Sequence, residues 1–199
     1  MLDFDFVREN WVFIASGMGE TLLVSILAMA PATLVALVVG MGRRSTFLPN
    51  YAASTFYISV IGGTPLILQI FFVFLALPQL GIFLPGLLAG ALVLGLNSSA
   101  RLGEAFRGWF ASGEDGQRKA WHTLIPLLSN EFIALIKDSA LISVTGFVHD
   151  ILWRARKVGR AEFHNLEALT IAVMFYWVLI LIIVIAQNQF VKRAKSDNL

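Results

Sequence analysis

Residues 45–100 read STFLPNYAASTFYISVIGGTPLILQIFFVFLALPQLGIFLPGLLAGALVLGLNSSA and contain no charged side chain, so charge is absent between Arg44 and Arg101. A membrane-crossing helix requires only about 20 apolar residues, so this stretch has room for two crossings. A chain of 199 residues is too small to hide so long an apolar stretch inside a water-soluble core. The sequence therefore predicts an integral membrane protein.

The composition of the whole chain favours the same class. Hydrophobic residues make up 57% of the chain and charged residues 14%, whereas a soluble globular protein has about 25% charged residues. The net charge of +2 is too weak to argue for a nucleic-acid partner, and none is expected. Cysteine is absent, which excludes disulfides, thiolate nucleophiles and cysteine-ligated metals. The acidic start, Met1–Phe6, lacks a basic region, so no cleaved signal peptide is expected.

Five apolar segments are long enough to cross a bilayer. The second is interrupted at Gly62–Pro65, because proline donates no backbone hydrogen bond and disfavours helical geometry in the residue before it. We predict an all-α fold, an integral membrane bundle of five transmembrane helices in a single domain, residues 1–199. The predicted helices cover approximately residues 21–41, 51–77, 82–100, 124–148 and 166–186.

The positions of the basic residues predict the orientation, because cytoplasmic loops are enriched in lysine and arginine. We expect the N-terminus outside and the C-terminus inside. A basic cluster on the outer side, formed by Arg154, Arg156, Lys157 and Arg160, is an exception to this enrichment and indicates an extracytoplasmic segment with a role of its own. In this arrangement the inner segments hold Arg43, Arg44, Arg107, Arg118, Lys119, Lys192, Arg193 and Lys195, and the outer ones hold Arg8, Arg154, Arg156, Lys157 and Arg160.

The fourth predicted crossing is unusually polar. Charged side chains inside a membrane are costly, so they usually face other helices or a cavity. Lys137 and Asp138 are adjacent and point about 100° apart on a helix, so each needs a partner elsewhere. Glu131 and Asp138 share one helix face. Two interpretations stay open: a polar strip beside a translocation path or coupling site, and internal contacts between helices. The polar motif consists of Asn130, Glu131, Lys137, Asp138 and Ser139.

The chain carries no convincing site for covalent chemistry. The three histidines, His122, His149 and His164, lie far apart in sequence, so no metal site is predicted. No Gly-x-Ser-x-Gly, phosphate-loop or His-Glu-x-x-His pattern is present. We therefore expect neither a cofactor nor enzymatic activity in the chain itself.

Four segments, in order, resemble the membrane permease subunits of ATP-binding-cassette (ABC) importers for polar amino acids, the histidine, glutamine and arginine type. Helix one opens with Gly-Glu-Thr-Leu, the helix break carries a Gly-Thr-Pro-Leu motif, and helix three ends in Glu-Ala-Phe-Arg-Gly. The longest segment, in the fourth crossing, is similar to the family pattern N-x-F-I-x-L-x-K-D-T-S-L-x-S-V. These segments are Gly19–Leu22, Gly63–Phe72, Glu104–Gly108 and Asn130–Val144.

The resemblance implies a type I importer permease that moves an amino acid or related small polar solute across the bacterial inner membrane. The implied partners are two cytoplasmic ATP-binding subunits, a second permease chain (identical or different), an extracytoplasmic solute-binding protein and membrane lipid. Hydrolysis of ATP would belong to the partner subunits. Two rival functions remain: a stand-alone secondary carrier or channel with Lys137 and Asp138 as a proton or ion relay, and a small membrane-embedded enzyme or assembly factor.

The resemblance also implies roles for individual residues. Gly116–Trp121 matches the start of the loop that contacts the ATPase in such importers. The implied residues of ATPase coupling are Glu104, Arg107, Gly116, Gln117 and Ala120. The path would be lined from the second to the fourth helix, with Thr64, Gln69, Asn97 and Asn130 as candidates for solute contact.

The chain departs from the family pattern in four respects. Lys119 stands where the coupling segment usually has glutamate, and a stretch of the pattern between Trp121 and Ile125 is missing, so the coupling loop is shortened. Gly62 stands where arginine often precedes Gly-Thr-Pro, and Arg101 stands where the family has an aromatic residue. We expect the shortened loop to weaken the contact with the ATPase.

Overall fold

The computed structural model describes the backbone of residues 3–196 and the side chains of residues 3–112 and 124–189. Within the described backbone the chain forms α-helices and no β-strand, which confirms the predicted all-α class. The helices are α1 (Phe4–Ala15), α2 (Gly17–Gly42), α3 (Leu48–Gly63), α4 (Leu66–Phe71), α5 (Gly86–Ala111), α6 (Gly113–Ile142), α7 (Ile151–Ala161) and α8 (Asn165–Ser196).

Among the described residues, two helical segments are long and apolar enough to cross a membrane. They are Phe4–Gly42, which joins α1 and α2, and Asn165–Gln189 in α8. A third results if the bent pair Leu48–Gly63 and Leu66–Leu80 is one crossing. Polar residues interrupt the apolar sequence of both α5 and α6, so neither helix qualifies by composition alone. The prediction of five crossings and their orientation therefore stays a prediction.

The predicted break in the second apolar segment is present between α3 and α4. The backbone of Thr64 is extended, with φ −105° and ψ 140°, because proline follows it. The two helical stretches on either side of the break are bent by 97° relative to each other. Pro65 caps α4 and precedes its first turn by one residue. The chain thus turns sharply here and does not continue as the straight helix of residues 51–77.

The tightest packing in the bundle lies between α2 and α5. A side-chain carbon on Gly95 would lie 2.6 Å from the Ala28 carbonyl oxygen and 2.6 Å from Cγ of Pro31, so only glycine allows the two backbones to approach this closely. Val24, Ala28 and Leu94 are buried beside this crossing. The small side chains of α2 and α5 therefore form the centre of the bundle, and more bulky residues surround it.

Helices α5 and α6 are joined almost directly. Only Ser112 separates them, and α6 runs as one helix from Gly113 to Ile142. The polar run of residues 113–119 is typical of a water-exposed loop, but its backbone is helical, so a loop prediction for this segment is wrong. The segment contains good helix formers such as Gln117, Lys119 and Ala120.

Beyond the C-terminal end of α6, three helices, α2, α7 and α8, meet around Asp150. Its carboxylate caps α7 by accepting the Trp153 N–H at 2.8 Å, and it accepts the Tyr176 hydroxyl of α8 at 2.8 Å. The Ile151 N–H donates to Thr21 of α2 at 3.4 Å. Asp150 is completely buried, and burial raises its pKa to about 6 although these hydrogen bonds act in the opposite direction.

Candidate functional site

Gln69 of α4 connects the two halves of the broken helix. Its side-chain nitrogen donates to the Ile61 carbonyl at 2.7 Å, to the Thr64 carbonyl at 3.2 Å and to the Thr64 hydroxyl at 2.8 Å. The break leaves carbonyls at the end of α3 without partners within that helix, and a buried or lipid-facing carbonyl without a partner is costly. Gln69 supplies that partner and fixes the angle between α3 and α4.

The same amide continues the polar contacts into α5. The Gln69 side-chain oxygen accepts a hydrogen bond from Asn97 at 3.3 Å, and Asn97 in turn accepts one from Arg101 at 2.7 Å. Asn97 is buried, with 6% of its surface exposed. Three of the residues predicted from the sequence, Thr64, Gln69 and Asn97, are therefore brought together although they come from two parts of the chain.

Arg101 connects α5 to the polar face of α6. Its Nε donates to Oε1 of Glu131 at 3.0 Å, and its Nη2 lies 3.6 Å from Oδ2 of Asp138. Glu131 and Asp138 are seven residues apart, so they occupy one face of α6, as predicted. The partner of Asp138 across the helix contact is thus Arg101. We define the polar network as Thr64, Gln69, Asn97, Arg101, Glu131 and Asp138.

The other polar residues of α6 have different surroundings. Asn130 is exposed and accepts from Gln187 of α8 at 3.4 Å, so it lies on the side of α6 that faces α8 and outside the polar network. Lys137 is exposed, and Ser139 is buried and donates to the Ile136 carbonyl at 2.8 Å. The assignment of Asn130 to the solute path stays a prediction, as does a functional role for Ser139 in the polar motif.

Glu104 joins three helices at the end of α5. Its carboxylate accepts from Arg43, next to the end of α2, at 2.9 Å and from Arg107, one turn further on α5, at 2.7 Å. Arg43 also donates to Thr55 of α3 at 2.7 Å. Burial acts to raise the pKa of Glu104, but the hydrogen bonds from Arg107 and Arg43 lower it below its usual value.

Three of the predicted coupling residues, Gly116, Gln117 and Ala120, have side chains outside the described residues. Their backbone belongs to the first turns of α6. Glu104 and Arg107 precede this segment on α5, and Ser112 is the only residue between the two helices. The five residues therefore lie on two helices that are joined end to end, on the side of the molecule that holds Arg43.

A cavity of about 500 Å³ lies beside the helix break. Its walls are mostly apolar, and the side chains of Thr64 and Gln69 provide its polar groups. None of its lining residues that the structure describes is charged. No group of three histidine, aspartate or glutamate residues that could hold a metal ion occurs among the described residues.

Sequence reasoning missed two features. The spacing of three residues predicts that Arg101, Glu104 and Arg107 form one ladder along a helix surface, whereas Arg101 turns away from Glu104 to the carboxylates of α6. The charge count indicated that the two acids on one face of α6 need a cationic partner besides the one lysine beside them, but it did not identify Arg101 as that partner. The buried contact of Asp150 with Tyr176 carried no such signal, because the two residues are unremarkable in sequence and meet only in the folded chain.

The chain is similar to the arginine transport system permease protein ArtQ of Bacillus subtilis, with 31% identity over 99% of this chain and 99% of that protein. It belongs to the permease subunits of amino-acid ABC transporters. The permease is also 27% identical to the glutamine transport system permease protein GlnP of Escherichia coli, over 90% of this chain and 91% of GlnP. No family model matches the chain.

A solved structure agrees with these relatives. The crystal structure of an amino acid ABC transporter with histidines matches the permease with a TM-score of 0.85 and 28% sequence identity, over 97% of this chain and 99% of that chain. The alignment with ArtQ extends over 218 positions, more than the 199 residues of the permease. The relative therefore contains residues that have no counterpart here, which agrees with a segment missing from this chain.

Proposed function

We propose that the permease provides the path by which an amino acid crosses the bacterial inner membrane, in a complex that hydrolyses ATP. The observation that carries this proposal is the polar network, because it connects α4, α5 and α6 inside an otherwise apolar bundle. A membrane protein tolerates such a group of charges where it faces a path or a cavity. The cavity beside Gln69 supports the same position for the solute.

The solute class rests on the relatives. ArtQ is named for arginine and GlnP for glutamine, and the matching structure is that of an amino acid transporter with histidines. A free amino acid carries an ammonium and a carboxylate, so a site for it needs donors and acceptors close together. The polar network contains amide, guanidinium and carboxylate groups within one chain of hydrogen bonds, and this mixture suits a zwitterion.

The permease moves the solute, and hydrolysis takes place in two ATP-binding subunits on the cytoplasmic side. We infer five membrane crossings with the N-terminus outside, a second permease chain beside the first and a solute-binding protein outside. Helix α3 buries no residue completely within this chain, and Phe56 on it is 71% exposed, which supports this helix as a contact surface for a second permease chain. The basic end of α5, with Arg107, lies on the cytoplasmic side in this orientation.

Coupling to ATP hydrolysis is proposed for Glu104, Arg107, Gly116, Gln117 and Ala120. Glu104 ties the ends of α2 and α5 together through Arg43 and Arg107. A movement of the segment around Gln117 would therefore be transmitted to both helices. The rival function, a carrier that uses Lys137 and Asp138 as a relay, has no support, because Asp138 is paired with Arg101 and the relatives are ABC permeases.

Reconstituted uptake tests the proposal. The tagged permease is purified with its native partners in mild detergent and placed in proteoliposomes with the solute-binding protein outside and ATP inside. We expect uptake of a labelled amino acid that requires ATP and persists when ionophores remove the ion gradients. Uptake that follows an ion gradient without ATP would instead establish the secondary carrier, and copurification without any ATPase would also count against the importer.

A further inference from the structure

Arg101 lies between two carboxylates of α6 and binds both. Its Nε is 3.0 Å from Glu131, and its Nη2 is 3.6 Å from Asp138. Glu131 has only 11% of its side chain exposed, whereas the side chain of Arg101 is 46% exposed. The guanidinium therefore enters from the open side of the network and covers a carboxylate that is nearly buried.

The groups around Arg101 fix the guanidinium in this place. Its Nη1 donates to Asn97 at 2.7 Å and its Nη2 to Ser98 at 3.1 Å, both on its own helix. A guanidinium is a planar fork with five N–H donors in a fixed geometry, whereas the ammonium of a lysine offers three donors on a single atom. Arg101 is thus held by three hydrogen-bond partners, Asn97, Ser98 and Glu131, and by an ion pair with Asp138 at 3.6 Å.

The Arg101 guanidinium binds the two carboxylates in the way that the side chain of a cationic amino acid would bind them. The side chain of a free arginine carries the same guanidinium, and a free lysine carries an ammonium that would seek the same two carboxylates. A solute with a positive side chain has to displace Arg101 to reach them, whereas a solute with an uncharged side chain does not. The nearby cavity adds no charge of its own, because its described lining residues are all uncharged.

We propose that Arg101 determines the charge preference of the solute path. It occupies the carboxylate pair Glu131 and Asp138 in place of a cationic side chain, so the permease favours amino acids whose side chains are uncharged. This inference rests on the proposed function, since it assigns a preference to the path proposed there. It concerns one residue of this chain, Arg101, which stands where the family pattern has an aromatic side chain.

Arginine and citrulline provide the matching pair of solutes, because citrulline replaces the guanidinium by an uncharged group of nearly the same shape. Binding of each labelled solute is measured on the permease–ATPase complex in nanodiscs without the solute-binding protein, so that only the preference of the complex is read. We expect the wild-type complex to bind citrulline more tightly than arginine. In Arg101→Gln the ratio of arginine affinity to citrulline affinity should rise about tenfold, which corresponds to roughly one charge-assisted hydrogen bond.

Glu131→Gln provides the opposite change. It removes one carboxylate and leaves Arg101 in place, so the same ratio should fall. A residue with a merely structural role would lower the affinities for both solutes together and leave the ratio unchanged in both variants. Arg8→Gln, which removes an exposed arginine of α1, is the control and should keep the wild-type ratio.

Several results would overturn the inference. A wild-type complex that prefers arginine, an unchanged ratio in Arg101→Gln, or a wild-type complex that binds neither solute would each do so. If Arg101→Gln does not yield a folded complex, Glu131→Gln decides alone, and an unchanged or increased ratio contradicts the proposal. ATP-driven uptake by the wild-type transporter is measured separately, so the proposed function can stand when this inference fails.

Discussion

Asp150 shows how a single buried carboxyl can make the stability of the whole molecule depend on pH. Its pKa is about 6 in the folded chain and near 3.9 in an unfolded one. The folded state therefore holds the proton more strongly than the unfolded state does. The stability that this proton contributes is complete below about pH 4 and is lost as the pH rises through about 6.

We expect Asp150→Asn to remove this dependence. In the wild type the free energy of unfolding should decrease by about 3 kcal/mol from pH 4 to pH 7 through this group, at 1.36 kcal/mol for each pKa unit. Asparagine keeps an oxygen to cap α7 and cannot ionise, so the slope should disappear. The apparent melting temperature in detergent, recorded across this pH range, measures the effect. Asp5→Asn, at an exposed position of α1, is the control, and a slope that persists in Asp150→Asn would contradict the assignment.

Gln69 is a second residue whose substitution is expected to lower the stability of the folded chain. Gln69→Leu removes the partner of the Ile61 carbonyl and leaves the Asn97 side-chain N–H without its acceptor. Leaving such groups without partners costs about 1–3 kcal/mol. Gln79→Leu is the matched control, since Gln79 donates only to the Leu75 carbonyl at 3.1 Å and is exposed. Equal melting temperatures for the two variants would show that Gln69 does not stabilise the break.

At the level of whole elements, α2 and α5 depend on the close approach at Gly95. In Gly95→Ala the added carbon would lie 2.6 Å from the Ala28 carbonyl oxygen, which is backbone and cannot move away cheaply. We expect a loss of roughly 1–3 kcal/mol, as for other overpacked cores. Gly108→Ala, on the same helix, has no neighbour within 4 Å of the new carbon and should be neutral or slightly stabilising. The difference in melting temperature between the two alanine variants is the measurement.

The helices and their contacts also show which features of the fold could be predicted from the sequence. The break at Thr64 and Pro65 follows from the chemistry of proline, which acts locally, so it could be predicted. The shared face of Glu131 and Asp138 follows from helical periodicity and could be predicted as well. The pairing of both acids with Arg101 could not, because it depends on the rotation of α5 relative to α6. The sequence did not predict that α6 begins as early as Gly113, because a run of charged residues is equally compatible with an exposed helix end and with a loop.

For the whole molecule, the absence of cysteine allows the topology to be measured directly. Single cysteines are placed by Gly81→Cys, Ser112→Cys and Phe163→Cys at three connections between helices. If five crossings with the N-terminus outside are correct, a membrane-impermeant maleimide should label positions 81 and 163 in intact spheroplasts and position 112 only after lysis. Labelling of position 112 from outside would contradict the proposed orientation.

Helix α6 has a mechanical consequence that follows from its length. It continues without interruption for 30 residues, which corresponds to about 45 Å at 1.5 Å per residue. The segment proposed to contact the ATP-binding subunit and the two acids that bind Arg101 thus lie on one continuous helix, whose only proline is Pro126. A tilt of the N-terminal part of α6 would therefore displace Glu131 and Asp138 directly, so a conformational change in the ATP-binding subunits would reach the solute path without an intervening loop.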